Sequence, residues 1–283
     1  VSPIELDRYC VIGHPVAHSK SPWIHARFAA ATGQALAYDR LELPLDGFVE
    51  GVLRFRAGGG RGCNVTVPFK FEAATLPGVQ LTPRALRAGA ANTLRFDGEV
   101  IFADNTDGIG LVQDITRHAG RALQGARVLL VGAGGAGAGV MGPLLEAGPE
   151  CLDLVNRSAE RARSLAQRHE AVARAHAVTL QAGSLDEADR GYDIVINASA
   201  SSLAGVASPV AARVLREGSL ACDLMYGPAS RPFLDWAAAH GAEPRDGLGM
   251  LVEQAAEAFA LWRGVRPEGA PVLRELRELL EGT

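Results

Sequence analysis

Val128-Leu129-Leu130-Val131-Gly132-Ala133-Gly134-Gly135-Ala136-Gly137 is the stretch whose reading decides the fold. Four apolar residues suit a buried strand, the glycines fit G-x-G-x-x-G, and the segment to about residue 147 reads as a helix. With 33 glycines in the chain, a bare match would carry little weight. Its place between a strand and a helix gives it meaning. Glycines let the backbone approach a pyrophosphate, and a helix N-terminus offers N–H donors and positive dipole. The alternative is a glycine-rich turn with no ligand.

Working outward, strand and helix alternate almost throughout. Downstream the pattern predicts strands at 152–155, 194–196 and 220–224. Helices are expected from about 159 to 168, near 210–216, around 233–240 and over 250–263. Upstream, strands are expected at 9–12, 37–43 and 63–67, and helices at 22–31, 45–55 and 108–118. Ser21 reads as the N-cap of the first helix, with Pro22 at the first helical position. Residues 92–102 read as a hairpin turning at Asp97-Gly98. The alternation implies parallel sheets and βαβ units in both halves, an α/β fold class.

Length and composition fit this frame. A chain of 283 residues is comfortable for two domains. Its 48% hydrophobic and 21% charged content is that of an ordinary globular protein. A net charge of −4 offers no basic face to nucleic acid, and no apolar run approaches the ~20 residues of a membrane span. The opening Val1-Ser2-Pro3-Ile4-Glu5 has neither the charged region nor the apolar core of a signal peptide. Cys10, Cys63, Cys151 and Cys222 are scattered without C-x-x-C spacing. They read as buried free thiols in a reducing cytoplasm, with no metal site and no disulfide.

Two further signals bear on chemistry. Only Lys20 and Lys70 stand among 28 cationic side chains, in a chain rich in Ala, Gly and Arg. A drift that replaces Lys by Arg spares Lys where Arg will not serve; the plainer reading of both is chance retention on the surface. Arg stays protonated, whereas burial can lower the pKa of a compact ammonium until it exchanges protons near neutrality. The second signal is the end of the strand at 152–155, where a cofactor ribose is read. An acidic residue there would suit NAD, but the chain has Asn156-Arg157-Ser158. Arg157 can meet the 2′-phosphate of NADP, and Arg161, one helical turn on, adds charge. Asp153 lies within the strand and is a poor candidate. The plainer reading of both arginines is a solvated helix start.

Several strings then carry a family resemblance. They are His14-Pro15-Val16-Ala17-His18-Ser19-Lys20-Ser21-Pro22, Asn64-Val65-Thr66-Val67-Pro68-Phe69-Lys70, Gly89-Ala90-Ala91-Asn92-Thr93 and Asn105-Thr106-Asp107-Gly108. The glycine turn with Asn156-Arg157-Ser158 follows, then Asp223-Leu224-Met225-Tyr226-Gly227-Pro228 and Asp246-Gly247-Leu248-Gly249-Met250-Leu251-Val252-Glu253-Gln254-Ala255. In this order they resemble the motifs of the shikimate dehydrogenase family. The resemblance implies an NADP-dependent enzyme that reversibly reduces 3-dehydroshikimate to shikimate with NADPH. It also implies a two-domain α/β architecture with a cleft: a substrate-binding domain over 1–106, a Rossmann-type NADP domain over 107–246, and helices over 247–283 that return to the first domain.

The resemblance also assigns roles. Ser19 and Ser21 would bind the substrate carboxylate, near the positive end of the following helix. Lys70 would transfer the proton, with Asp107 orienting it. Asn64, Thr66, Asn92, Tyr226 and Gln254 would bind ring hydroxyls or shape the pocket. Gly132, Ala133, Gly134, Gly135, Ala136, Gly137, Asn156, Arg157, Ser158, Arg161 and Gly247 would bind the cofactor. The plainer readings are turns and caps for Asn64 and Asn92, core packing for Tyr226 and N-capping for Ser21.

Two departures stand out. The family's Asn-Ala-Thr-Ser loop, with Gly two residues on, becomes Asn197-Ala198-Ser199-Ala200-Ser201-Ser202, which places Ser202 where Gly is usual. Ser202 must then adopt a strained conformation or redirect the loop. His14 stands where Asn is common; with no carboxylate near it in sequence, it reads as packing or capping. Partners are expected to be small molecules, with no nucleic acid or membrane, for a cytoplasmic monomer or homodimer. Two alternatives remain: a quinate/shikimate dehydrogenase of broader specificity, and a non-catalytic nucleotide-binding sensor, against which Lys70 and Asp107 argue.

Overall fold

A computed structural model describes residues 6–282; the opening pentapeptide read for targeting lies outside the described residues. The chain divides into two compact units, residues 1–106 with 252–283, and residues 107–251.

The first unit is built from β1 (Asp7–Gly13), α1 (Ser21–Thr32), β2 (Leu36–Glu42), α2 (Phe48–Ala57), β3 (Gly60–Val65), α3 (Lys70–Ala73), β4 (Val79–Leu81), α4 (Pro83–Ala88), β5 (Thr93–Asp97) and β6 (Val100–Asp104). Its strands form one sheet of order β2-β1-β3-β5-β6-β4. The β1–β2, β1–β3 and β4–β6 pairs are parallel, and β5 is antiparallel to both neighbours. The expected hairpin is present, with Gly98 at φ +59° in its turn. Alternation along β1 sorts its side chains between two cores. Cys10 and Ile12 join Phe48, Val52, Phe69 and Leu94, while Tyr9 and Val11 join Val16, Tyr38 and Trp262.

The second unit contains α5 (Asp107–Gln113), which continues as a π-helical turn over Asp114–His118, and then β7 (Arg127–Val131), α6 (Gly135–Glu146), β8 (Cys151–Val155), α7 (Ala159–Ala175), β9 (Thr179–Gly183), β10 (Ile194–Asn197), β11 (Leu220–Asp223), α8 (Arg231–Ala239) and β12 (Glu243–Arg245). The strand order is β12-β11-β10-β7-β8-β9, all parallel. This is the doubly wound dinucleotide-binding arrangement. Val131 pairs with Val155 and Asn197, and Asn197 with Asp223. The loops after β7, β8, β10 and β11 therefore leave the sheet at one level.

α9 (Leu248–Arg263) begins in the second unit and from Val252 belongs to the first. α10 (Gly269–Glu281) follows and packs beside α1, where Arg27 Nε lies 3.2 Å from Glu275 Oε2. Trp262 stacks on Tyr9 with ring centroids 4.6 Å apart and donates through Nε1 to the Leu94 carbonyl at 2.9 Å.

Two expectations need correction. The helix near 210–216 is a single 3₁₀ turn at Ala212–Val214. Ser219 Oγ takes the Arg216 N–H at 2.6 Å and ends it, and so short a segment does not offset the cost of helix nucleation. Ser21 is not a cap: Lys20 occupies that position without a side-chain bond, and Ser21 is already helical. Strands β4, β9 and β12 have no counterpart in the sequence pattern. All four cysteines are buried and free. Among the described residues no helix is long and apolar enough to cross a membrane.

Candidate active site

In the first unit, β1 and β3 lie side by side and the loops that leave them are laced together. His14 N–H donates to Val67 O at 3.0 Å, and Thr66 N–H to Ile12 O at 2.8 Å. The β1 loop carries Ser19 and Ser21, whose hydroxyl oxygens lie 3.2 Å apart; Ser19 Oγ also accepts from the Ser21 N–H at 3.3 Å. Arg40 fixes the Ser19 carbonyl with two N–H bonds, at 3.0 and 2.6 Å. The β3 loop carries Thr66 and leads into Lys70, a half-buried residue at the start of α3. The Lys70 carbonyl accepts from Ala91 N–H at 2.8 Å, which ties α3 to the segment bearing Asn92.

Behind these loops lies a buried polar network. Tyr38 Oη donates to Asn64 Oδ1 at 2.7 Å, and Asn64 Nδ2 donates to Thr93 Oγ1 at 3.1 Å. Thr93 Oγ1 donates to Asn92 Oδ1 at 2.9 Å. Asn92 Nδ2 donates to Thr106 Oγ1 at 2.9 Å and to Gln254 Oε1 at 3.1 Å. Asn64, Asn92 and Gln254 are thus brought together, as parts of one network. Sequence reasoning missed Tyr38, Thr93 and Thr106 as its links. The signal was present for the threonines, since both stand inside quoted motifs.

His14 Nδ1 lies 2.9 Å from the Leu43 carbonyl oxygen. No carboxylate is near His14 in sequence, but the fold brings one near in space. Gly13 and Glu42 are register partners on β1 and β2, which brings Glu42 Oε1 within 3.6 Å of the imidazole.

In the second unit the glycine turn fits a dinucleotide. Gly132 has φ +113°, and a Cβ there would lie 2.9 Å from the carbonyl carbon of Ala198 and the nitrogen of Ser199. Gly134 is exposed, with open space where a Cβ would stand, so a ligand can approach the backbone. A Cβ at Gly137 would run into the Gly132 carbonyl. One glycine makes the turn, one admits the ligand and one allows helix–strand packing. Gly135 and Ala136 open α6, whose first N–H groups lack intrahelical partners. Asn156 Oδ1 accepts the Ala133 N–H at 3.2 Å and ties the corner after β8 to the turn.

Arg157 and Arg161 are exposed at that corner, and Ser158 caps α7 by accepting the Arg161 N–H at 3.4 Å. Asp153 is held by Arg190 Nη2 and Tyr192 Oη, both at 2.6 Å, which engages it within the unit as a strand residue. Gly247 packs against the Leu224 carbonyl, too close for a side chain, and its N–H donates to Met225 O at 2.9 Å. Tyr226 follows in the same loop, half-buried. Asp107 is buried at the start of α5.

Of the two outcomes expected for Ser202, the strained conformation is excluded. Ala177 is the one non-glycine residue with positive φ among those described, so Ser202 needs no glycine conformation. It is buried, and its hydroxyl donates to Asp223 Oδ2.

A parallel sheet of this order with a glycine turn at the end of β7, and a separate α/β unit bearing a lysine and a buried polar network, have the make-up of a dinucleotide-dependent oxidoreductase. Family profiles match in three consecutive pieces: shikimate dehydrogenase substrate binding domain over residues 11–94, shikimate / quinate 5-dehydrogenase over 114–224, and shikimate 5′-dehydrogenase C-terminal domain over 247–277. A shikimate dehydrogenase (NADP(+)) of Methylibium petroleiphilum is 66% identical over 282 residues, 98% of this chain and 96% of that protein. The crystal structure of an Ael1 enzyme from Pseudomonas putida matches with 44% identity and a TM-score of 0.83, covering 95% and 98% of the two chains. The shikimate 5-dehydrogenase of Thermus thermophilus, solved with NADP(H) and shikimate, matches with 32% identity and a TM-score of 0.81 over 96% and 99%. The chain belongs to the shikimate dehydrogenase family.

Proposed function

We propose that this chain catalyses the reversible NADPH-dependent reduction of 3-dehydroshikimate to shikimate in aromatic amino-acid biosynthesis. The observation that carries this is the 66% identity, over 98% of the chain, to a shikimate dehydrogenase (NADP(+)). When bound, NADPH supplies the hydride. Lys70 Nζ holds the proton destined for the ketone oxygen and takes it back in the oxidative direction. Asp107 is its orienting partner. Ser19 and Ser21, their hydroxyls 3.2 Å apart, bind the carboxylate. Asn64, Thr66, Asn92, Tyr226 and Gln254 bind the ring hydroxyls or shape the pocket.

Gly132 to Gly137 and Asn156 would hold the cofactor's pyrophosphate, and Ser158 and Gly247 would contribute to its binding. Arg157 and Arg161 meet the 2′-phosphate. Four buried free thiols suit a reducing cytoplasm, and the reading takes the protein as a monomer or homodimer without nucleic-acid or membrane partners.

A second reading, quinate as an additional substrate, is favoured by the profile for shikimate / quinate 5-dehydrogenase over 114–224. Initial rates with shikimate and quinate, each crossed with NADP and NAD, test both. The highest kcat/KM is expected for shikimate with NADP. No turnover with either acid would overturn the assignment and favour a binding protein.

A further inference from the structure

Asn197 and Asp223 end the neighbouring strands β10 and β11 and are register partners. Both are fully buried, and Ser202 is 2% exposed. The loop after β10 is wound around the Asn197 amide. Its Oδ1 accepts from Ser199 N–H at 3.2 Å and from Ser199 Oγ at 2.7 Å. Its Nδ2 faces Ser202 Oγ at 3.1 Å and Asp223 Oδ2 at 3.2 Å. Ser202 then donates its hydroxyl to the same Asp223 oxygen and closes the loop on the strand. The near end of this loop, at Ala198 and Ser199, is the surface against which Gly132 packs. Ala198 N–H also donates to Val131 O at 2.8 Å, immediately before the glycine turn.

We propose that Ser202 and Asp223 are positioning residues for the cofactor: their hydrogen bond holds the loop after β10 in the path that supports the Gly132 turn. This rests on the reading of that turn as the NADP site. Neither residue need touch the cofactor. The physical case is one of donors around a buried acid. Burial pushes the Asp223 carboxyl above the usual range, while Ser202, the Met225 N–H and Asn197 pull it back. Removing the hydroxyl takes one donor from a fully buried carboxyl. It also frees the far end of the loop.

The test is calorimetric titration of the whole protein with NADP, in the wild type, Ser202→Ala, Asp223→Asn and the double variant. Each single change is expected to weaken NADP binding about tenfold, the lower range for a hydrogen bond to a charged group. The double variant should be no weaker than the worse single one, because the residues act as one pair. Shikimate KM at saturating NADP should stay within about twofold. Ser202→Gly removes the same hydroxyl and should match Ser202→Ala, which keeps the test open if Asp223→Asn does not fold. Unchanged NADP affinity in Ser202→Ala, even with a lower melting temperature, would overturn the positioning role. So would losses that multiply in the double variant. A wild-type protein that does not bind NADP would instead overturn the reading of the glycine turn, and this role with it.

Discussion

Asn92 donates through Nδ2 to Gln254 Oε1 at 3.1 Å, across 162 positions of sequence. The bond joins the start of β5 to α9 and fixes a side chain proposed to face the substrate. Gln254→Ala removes the acceptor and leaves Asn92 with Thr106. The expected cost is about 1 kcal/mol of stability, read as a urea midpoint. Shikimate KM should rise severalfold while NADP affinity is unchanged; a stability loss without a KM change would assign Gln254 to structure alone.

Lys70→Ala should lower kcat by about 10²–10⁴-fold, the usual worth of a positioned general acid or base. Lys70→Arg should not restore it, because Arg does not release its proton. Steady-state rates of the two variants decide the role, and near wild-type turnover by Lys70→Arg would refute proton transfer. Asp107→Asn should also reduce turnover with NADP binding intact.

Arg157 stands exposed beside the capped start of α7. Arg157→Ala should weaken NADP by roughly ten- to a hundredfold and leave NAD nearly unchanged. Titration with both cofactors measures the ratio. Equal losses would show that Arg157 supports the corner and does not read the phosphate.

His25 lies wholly buried in α1, stacked on Tyr38 at 4.2 Å, with neither ring nitrogen hydrogen-bonded. Burial holds its pKa down at about 3, against a smaller opposing effect of the nearby Asn64 amide. The unfolded chain takes up this proton near the ordinary value of about 6.5. Between those values the unfolded state binds more protons, so stability falls as pH falls, by at most about 1.4 kcal/mol per pH unit. The full contribution is present above about pH 6.5. His25→Phe should flatten the acid limb of urea midpoints between roughly pH 6.5 and 4. An unchanged slope would show that another group sets it.

Gly249→Ala would ordinarily favour a helix. Here the added Cβ would fall on the carboxylate of Asp114, which accepts from Arg245 Nε at 2.8 Å. Both partners of this ion pair are largely buried. Displacing one should cost about 3–5 kcal/mol, so the melting temperature should fall where propensity alone would raise it.

The strands at the centre of the second sheet were legible because β7, β8, β10 and β11 are almost wholly buried and read as apolar runs. Its edges were not. β9 is half exposed and ends in Gly, and β12 is three residues with Pro244 in the middle, tolerated only because an edge strand need not donate on both sides. In the site, residues grouped in short motifs could be found one by one. Their partners could not: Tyr38 meets Asn64 only because β1 separates β2 and β3 in the sheet, and no local pattern announces that. Ser202 departs from the motif in sequence, but its hydrogen-bond partner lies 21 positions on, at Asp223.

α9 starts in the nucleotide-binding unit and finishes in the other, and that has a consequence for how the protein is made. Residues 107–251 are one uninterrupted segment inserted into a unit whose own chain is in two pieces. The inserted segment can complete its core as soon as it has emerged from the ribosome. The surrounding unit cannot, because Gln254, Phe259 and Trp262 are synthesised only after it. The part of the enzyme begun first is therefore finished last. A chain terminated after Leu251 would retain the whole nucleotide-binding segment but leave the first unit incomplete, with Tyr9 and the Leu94 carbonyl uncovered.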